Sequence, residues 1–396
     1  MLTKLSKPYK GLSSEIWILA LITLINRAGA MVVPFLSLYL TKYLDYSLAQ
    51  VGWIMSFYGL GSVLGVYIGG KLTDKIGYYK IMYTSLFLTG LIFLSIQFIS
   101  SFYLLCAGVF ALTAVADAFR PAIWVALSAY SKEENRTRSV TLIRLAINLG
   151  FSMGPALGGF IIAGLSYKGL FWVDGITSII AAIMILIYLS QKASNDLEEE
   201  NVEEKKLSPY KDKQYLIFWV SMFLIGFAFM QYFSTLPLYY SQEMYMSEKD
   251  IGWLLSLNGL LVFLTEMPLV HYLEKFKFNK INIIIFGTFL ISMSFLVLNF
   301  SLWIGIVVIG MIFMSFGEIL GFPFSNSYAI ERAKRGNQGA YMAMYSMSFS
   351  IAHILGPNIG MHLTENYGFQ FTWYVMTGLL LVVCLLLIWL KKYASV

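Results

Sequence analysis

VGWIMSFYGLGSVLG (Val51–Gly65) and IGWLLSLNGLLVFLT (Ile251–Thr265) are two versions of one stretch, 200 residues apart. Working outward, Asp74 meets Glu274 at the same offset. Pro121 meets Pro323, and GPALGG from Gly154 meets GPNIGM from Gly356, both at an offset of 202. Self-similarity at a fixed spacing is the mark of a duplicated unit. The long polar segment QKASNDLEEENVEEKKLSPYKDKQ (Gln191–Gln214) lies between the copies, a mixed-charge stretch unsuited to packing a core. The chain therefore reads as an N-terminal bundle over 1–190, a linker over 191–213 and a C-terminal bundle over 214–396.

Each copy contains six apolar runs near the 20 residues needed to cross a ~30 Å hydrocarbon core. The twelve spans fall at about 14–41, 50–70, 80–99, 103–130, 139–164, 170–190, 214–240, 251–272, 280–298, 302–328, 338–361 and 369–390. No alternating barrel pattern is present, and a backbone in lipid must satisfy its own donors, so the spans are helices. The fold class is an all-α membrane protein with 12 transmembrane helices in two pseudo-symmetric six-helix bundles. Composition agrees, since 58% of the 396 residues are hydrophobic and 13% charged, against about 25% charged in soluble domains.

Lys and Arg set the orientation. With both termini cytoplasmic, the inside loops collect Lys4, Lys7, Lys10, Lys71, Lys75, Lys80, Lys132, Arg136, Arg138, Lys275, Lys277, Lys280, Arg332, Lys334, Arg335, Lys391 and Lys392, while the outside loops keep Lys42, Lys168 and Lys249. The net charge of +6 is thus a membrane signature and points to no nucleic acid. The first apolar run is too long for a cleavable signal. Cys106 and Cys384 sit in apolar runs and form no CxxC.

At GGKLTDKIGYYK (Gly69–Lys80) the chain resembles the loop between the second and third helices of the major facilitator superfamily, Gly-x-Leu-x-Asp-(Arg/Lys)-x-Gly, through Gly70, Leu72, Asp74, Lys75 and Gly77. Tyr78 and Tyr79 replace the two trailing bases of that pattern. NLGFSMGPALGG (Asn148–Gly159) is similar to the fifth-helix motif frequent in proton-coupled exporters, carried here by Gly150, Gly154, Pro155, Gly158 and Gly159. FRPA followed by ENRTRS also resembles the 12-helix drug:proton antiporter branch. The arginine that many exporters place early in the fourth helix is absent from CAGVFALTAVA, and Arg120 lies too late to inherit that role. The resemblance implies alternating access between two halves. In that picture Gly70, Asp74, Lys75 and Gly77 form a cytoplasmic latch, and Gly154, Pro155, Gly158 and Gly159 a hinge. Simple close packing of small residues explains the fifth-helix glycines equally well.

Charges within spans are costly and normally face a partner or a water-filled cavity. Arg27 falls mid-span in the first helix, and Asp117 and Arg120 mid-span in the fourth, three apart on one face. Glu318 is mid-span in the tenth helix, nearly repeat-equivalent to Asp117. Glu266 lies in the eighth and His353 in the eleventh. Together these are the candidate substrate and proton site, with Glu318 the leading proton carrier because no base is its obvious local partner. A fixed structural pair between Asp117 and Arg120 remains open. Arg144 and Asp174 are expected to snorkel from span ends, and Tyr39, Tyr239 and Tyr240 to anchor at the interface.

The function expected is proton-coupled export of small amphipathic molecules from a monomer in the cell's inner (plasma) membrane, its partners being substrate, protons and lipid. The alternatives are a proton-coupled importer or a dedicated carboxylate or siderophore carrier held by the buried arginines. INRAG in the first helix is distantly similar to the Glu-Arg-Phe helix of peptide transporters, with Asn26 in place of the acid. An enzyme is not expected, since His271, His353 and His362 are scattered and no HExxH occurs. No GxxxxGK(S/T) loop occurs either, so a gradient rather than ATP is the expected energy source, and no cofactor or metal is implied.

Overall fold

The computed structural model describes residues 12–131, 136–192, 208–276, 278–333 and 338–394. Lys4, Lys7, Lys10, Lys132, Lys277, Lys334, Arg335 and most of the linker lie outside them. So do the side chains of Arg136, Arg138, His271 and Glu274.

Among the described residues every regular element is helical. Span 1 is α1 (Ser14–Ala28) followed by α2 (Val32–Leu38), which runs into a π-helical turn. Spans 2 and 3 are α3 (Leu48–Ile76) and α4 (Tyr78–Ile96). Span 4 is α5 (Phe102–Asp117) with α6 (Phe119–Tyr130), and spans 5 and 6 are α7 (Arg136–Leu165) and α8 (Tyr167–Tyr188). Span 7 is α9 (Lys213–Phe229), a tight turn and α10 (Thr235–Gln242). Spans 8 to 10 are α11 (Glu248–Lys275), α12 (Lys280–Leu296) and α13 (Ile304–Ala333). The last helical run, α14 (Gln338–Ala394), contains spans 11 and 12.

Among the described residues eleven runs are long and apolar enough to cross a membrane, and the last, Tyr341–Lys392, has 52 residues. A straight helix of that length would reach about 78 Å at ~1.5 Å per residue, more than twice the hydrocarbon thickness. Gly368, at φ 81°, turns the chain inside it. Counting that run as two gives the twelve spans.

Spans 1 and 7 are broken at matching places, a feature the sequence reading did not anticipate. Pro34 and Pro237 lie just after the breaks. A proline removes the N–H that would reach the carbonyl four residues back, which frees Ala30 in span 1 and Phe233 in span 7. Pro121 does the same to Asp117, where α5 gives way to α6. Pro155, Pro268 and Pro323 sit inside unbroken helices, so proline permits a break and its neighbours decide whether one forms.

Large apolar side chains such as Trp17, Trp172 and Phe286 face outward, as lipid-facing residues do. The buried faces carry small hydroxyls satisfied by the preceding turn, for example Thr23 Oγ1 to the Leu19 carbonyl at 2.7 Å and Thr288 Oγ1 to that of Ile284 at 2.8 Å. Tyr39, Tyr239 and Tyr240 do not project outward as interfacial anchors would. Each is 2% exposed, and Tyr239 donates to the Leu298 carbonyl at 3.0 Å, so their rings pack the interior.

The chain forms two compact units, one of Met1–Val33 with Phe57–Glu200 and the other of Pro34–Ser56 with Asn201–Val396. The border in span 1 falls just after its break. Within the second unit, Lys42 Nζ pairs with Glu248 at 2.8 Å, Glu365 accepts the Ala49 amide at 2.9 Å, and Ser56 donates to the Ile354 carbonyl at 2.7 Å.

The same unit has a buried ionic staple. Asp212 caps α9 by accepting the Tyr215 amide at 3.1 Å. It also takes both Nε and Nη2 of Arg332, from the end of α13, at 2.8 and 2.7 Å, and the Tyr341 hydroxyl at 2.9 Å. Three helices are thereby tied through one carboxylate.

Candidate functional site

In the first unit, Pro121 and the end of α5 place Asp117 at a helix break, with its side chain buried. One carboxylate oxygen accepts Arg120 Nε at 2.8 Å and the other accepts the Ser62 hydroxyl. The Arg120 side chain is 48% exposed, so this pair is not sealed off. Arg27 and Tyr58 lie within electrostatic reach of both charges. Arg27 stands in the last turn of α1, beside the break in span 1, its guanidinium carbon 5.6 Å from the centre of the Phe151 ring. Its Nε is buried and has no hydrogen-bond partner among the described residues. Arg27, Asp117 and Arg120 are thus gathered into one cluster of two bases and one acid.

The fifth-helix glycines press on the same place. A Cβ on Gly150 would meet the Arg27 Cβ at 2.5 Å and the Ala28 nitrogen at 3.0 Å, while Gly154 faces the Ala28 and Arg27 carbonyls at 3.4 and 3.5 Å. Since backbone cannot move aside, Gly150→Val is expected to destabilise the protein by about 1–3 kcal/mol through overpacking. Thermal unfolding in detergent measures this, and an unchanged midpoint would show that α1 yields. Pro155, Gly158 and Gly159 are buried further along the unbroken α7. Gly70, Asp74 and Lys75 lie near the end of α3, the two charged side chains exposed, and Gly77 forms the turn into α4.

Asp174 corrects the expectation of a snorkelling span end. It is 0% exposed and accepts the Met31 and Val32 amides.

In the second unit, Glu318 on α13 is half-buried and accepts Asn258 Nδ2 of α11 at 3.1 Å. Asn258 is itself held by the Ser315 hydroxyl at 3.0 Å. Among the described residues no Lys or Arg pairs with Glu318. Glu266 and Tyr232 are within its electrostatic reach. Aromatic rings from α9, α13 and α14 continue from there. Phe229 stacks on Tyr232 at 5.9 Å and meets Phe322 edge-on at 4.8 Å, and Phe349 meets Phe322 at 5.6 Å and Tyr345 at 5.4 Å. His353 is half-buried, one turn after Phe349 on α14.

Asn258 and the rings of Phe229, Phe322, Tyr345 and Phe349 were not singled out from the sequence. Asn258 had a signal in the repeat, because it occupies the position of Tyr58, and both residues accompany the central acid of their own unit.

Residues 16–357 match the family model of the Major Facilitator Superfamily, and residues 246–395 match it again. The chain belongs to the major facilitator superfamily. It is therefore a multi-pass membrane protein of a transporter family, not an enzyme. The superfamily includes the uncharacterized transporter YqjV of Bacillus subtilis, 27% identical to this chain over 91% of it and 89% of the relative. It also includes the Na(+), Li(+), K(+)/H(+) antiporter of Planococcus maritimus, 22% identical over 89% of each. Among solved structures, the nucleoside transporter NupG superposes with a TM-score of 0.78 over 96% of this chain and 100% of that one, at 14% identity, a likeness of fold alone. The superfamily fold accounts for the paired units and the span count.

Proposed function

We propose that the protein is a proton-coupled exporter of small amphipathic cations, working by alternating access as a monomer in the plasma membrane with both termini cytoplasmic. The observation that carries this reading is Glu318, an acid within a span whose carboxylate is held by a neutral amide and which no base pairs among the described residues. An intramembrane carboxylate without a counter-ion is a site where a proton and a cationic substrate exclude each other. The aromatic rings beside it offer faces to a flat cation. In this reading Arg27, Asp117 and Arg120 form the charged part of the first unit's own site, Gly70, Asp74, Lys75 and Gly77 the latch, and Gly154, Pro155, Gly158 and Gly159 the hinge. The fifth-helix motif supports export, and the proton-exchanging relative from Planococcus supports coupling to protons.

A second reading rests on Arg27, whose Nε has no partner among the described residues, and on the half-exposed Arg120. Two such bases suit a carboxylate-bearing substrate.

Proteoliposomes under an imposed pH gradient separate the two. Ethidium and tetraphenylphosphonium test the cation reading, and citrate tests the carboxylate one. Proton release driven by the cations alone supports the exporter, release driven by citrate alone supports the second reading, and no response to any of them removes the proton-coupled reading.

A further inference from the structure

Asp174 is the most deeply buried carboxylate among the described residues and no base pairs with it there. Its oxygens accept the Met31 amide, each at 3.0 Å, and the Val32 amide at 2.8 Å. These N–H groups belong to the break in span 1, where no preceding helical turn provides acceptors. The other side of the break is closed locally, by Gly29 donating to the Ile25 carbonyl at 2.9 Å and Ala30 to that of Arg27 at 3.2 Å. Arg27 therefore lies in the last turn of α1, its carbonyl accepting the final bond before the break.

Arg27 also needs an external constraint. Its Nε makes no hydrogen bond among the described residues, so that atom does not fix the head group. The backbone beneath it is clamped from two directions, by Gly150 and Gly154 of α7 and by Asp174 of α8. The break in span 7 has a comparable polar clamp without charge. Gln231 there donates to the Gly356 carbonyl at 2.9 Å and accepts from Thr235 at 2.6 Å. Among the described residues the first repeat alone uses an acid at this point.

We propose that Asp174 is a positioning residue for Arg27: by holding the Met31 and Val32 amides it fixes the break in span 1, and with it the direction in which Arg27 leaves the helix toward Asp117 and Arg120. This rests on the reading of Arg27 as part of the transport site. Asp174→Asn keeps the shape and one accepting oxygen but turns an NH₂ toward the amide donors, so the break loosens without loss of packing volume.

The test uses the full chain with Cys106→Ser and Cys384→Ser and a single reporter, Arg27→Cys or Ser62→Cys, labelled in detergent by a water-soluble methanethiosulfonate. Asp174→Asn is expected to raise the labelling rate at position 27 by at least about threefold, within the range of such couplings, and to leave position 62 unchanged. Equal rates at position 27 with and without the substitution overturn the proposal. An equal rise at both positions also overturns it, because that marks general loosening. Should Asp174→Asn not fold, Met31→Pro removes one amide donor while leaving the carboxylate in place, and is read in the same way. Ethidium transport by Arg27→Ala is measured beside these. Wild-type transport there refutes the role of Arg27 in the site while leaving the labelling result intact.

Discussion

Glu318→Gln is expected to reduce pH-driven ethidium extrusion to the rate of protein-free vesicles and to weaken ethidium binding at least about tenfold, a loss of ~1.4 kcal/mol. The substitution is isosteric, and the Gln carbonyl still accepts from Asn258, which remains held by Ser315. Packing is preserved, so a changed unfolding temperature would not explain the loss. What disappears is the alternation between a neutral and a charged acid, with the variant locked in the form equivalent to protonated Glu318. Asp117→Asn is expected to behave differently. It removes the charge facing Arg120 and leaves two bases with no acid between them, so cation transport weakens while the response to a pH gradient persists. Gradient-driven transport at the wild-type rate by Glu318→Gln would remove this residue as the proton carrier.

Removal of Arg332 carries the second large effect, on stability. Arg332→Ala leaves Asp212, 4% exposed, as a buried charge without its bidentate partner. Breaking one side of such a pair costs about 3–5 kcal/mol. The pair also gives stability a pH dependence. Burial pushes the Asp212 carboxyl up, but the hydrogen bonds from Arg332, the Tyr215 amide and Tyr341, together with the Arg332 charge, outweigh it and hold the group below its usual range. A group depressed in the folded state stabilises fully above its unfolded value, about 3.9 for Asp, and that contribution is lost as pH falls through the folded value. The wild type is therefore expected to lose stability in this acid window by more than Arg332→Ala does. Denaturation in detergent across the window measures it, and parallel profiles for the two proteins would contradict the assignment.

The large features of the fold were legible because membrane insertion writes them plainly. Span lengths and the repeat anchored at Val51 and Ile251 follow from hydropathy and self-similarity, which depend on sequence alone. The breaks in spans 1 and 7 were harder to see. Pro34 and Pro237 marked them, but Pro155 and Pro323 carry the same signal inside intact helices, and packing decides between the outcomes. Asp174 was misread for a related reason. Its distance from the span end suggested snorkelling, whereas its surroundings provide two amides that only the broken helix exposes. Tyr39, Tyr239 and Tyr240 show the limit of composition, since an aromatic belt and an aromatic core use the same residues. Of the candidate site, Asp117 with Arg120 was readable from helical spacing. The Asn258 bond to Glu318 joins two spans, and no single-chain periodicity reports such contacts.

The division of span 1 between the two units also bears on how the protein is made. Pro34–Ser56 is made well before its partners, because it packs with residues that follow 206 to 316 positions later in the chain. Ala49 waits for Glu365, Ser56 for Ile354 and Lys42 for Glu248. Contacts spanning 316 and 298 residues give this region a high contact order and a late place in assembly. An N-terminal half synthesised alone would insert its helices and still lack the partners for this segment, which makes it the natural point of attack for membrane quality control in a truncated product.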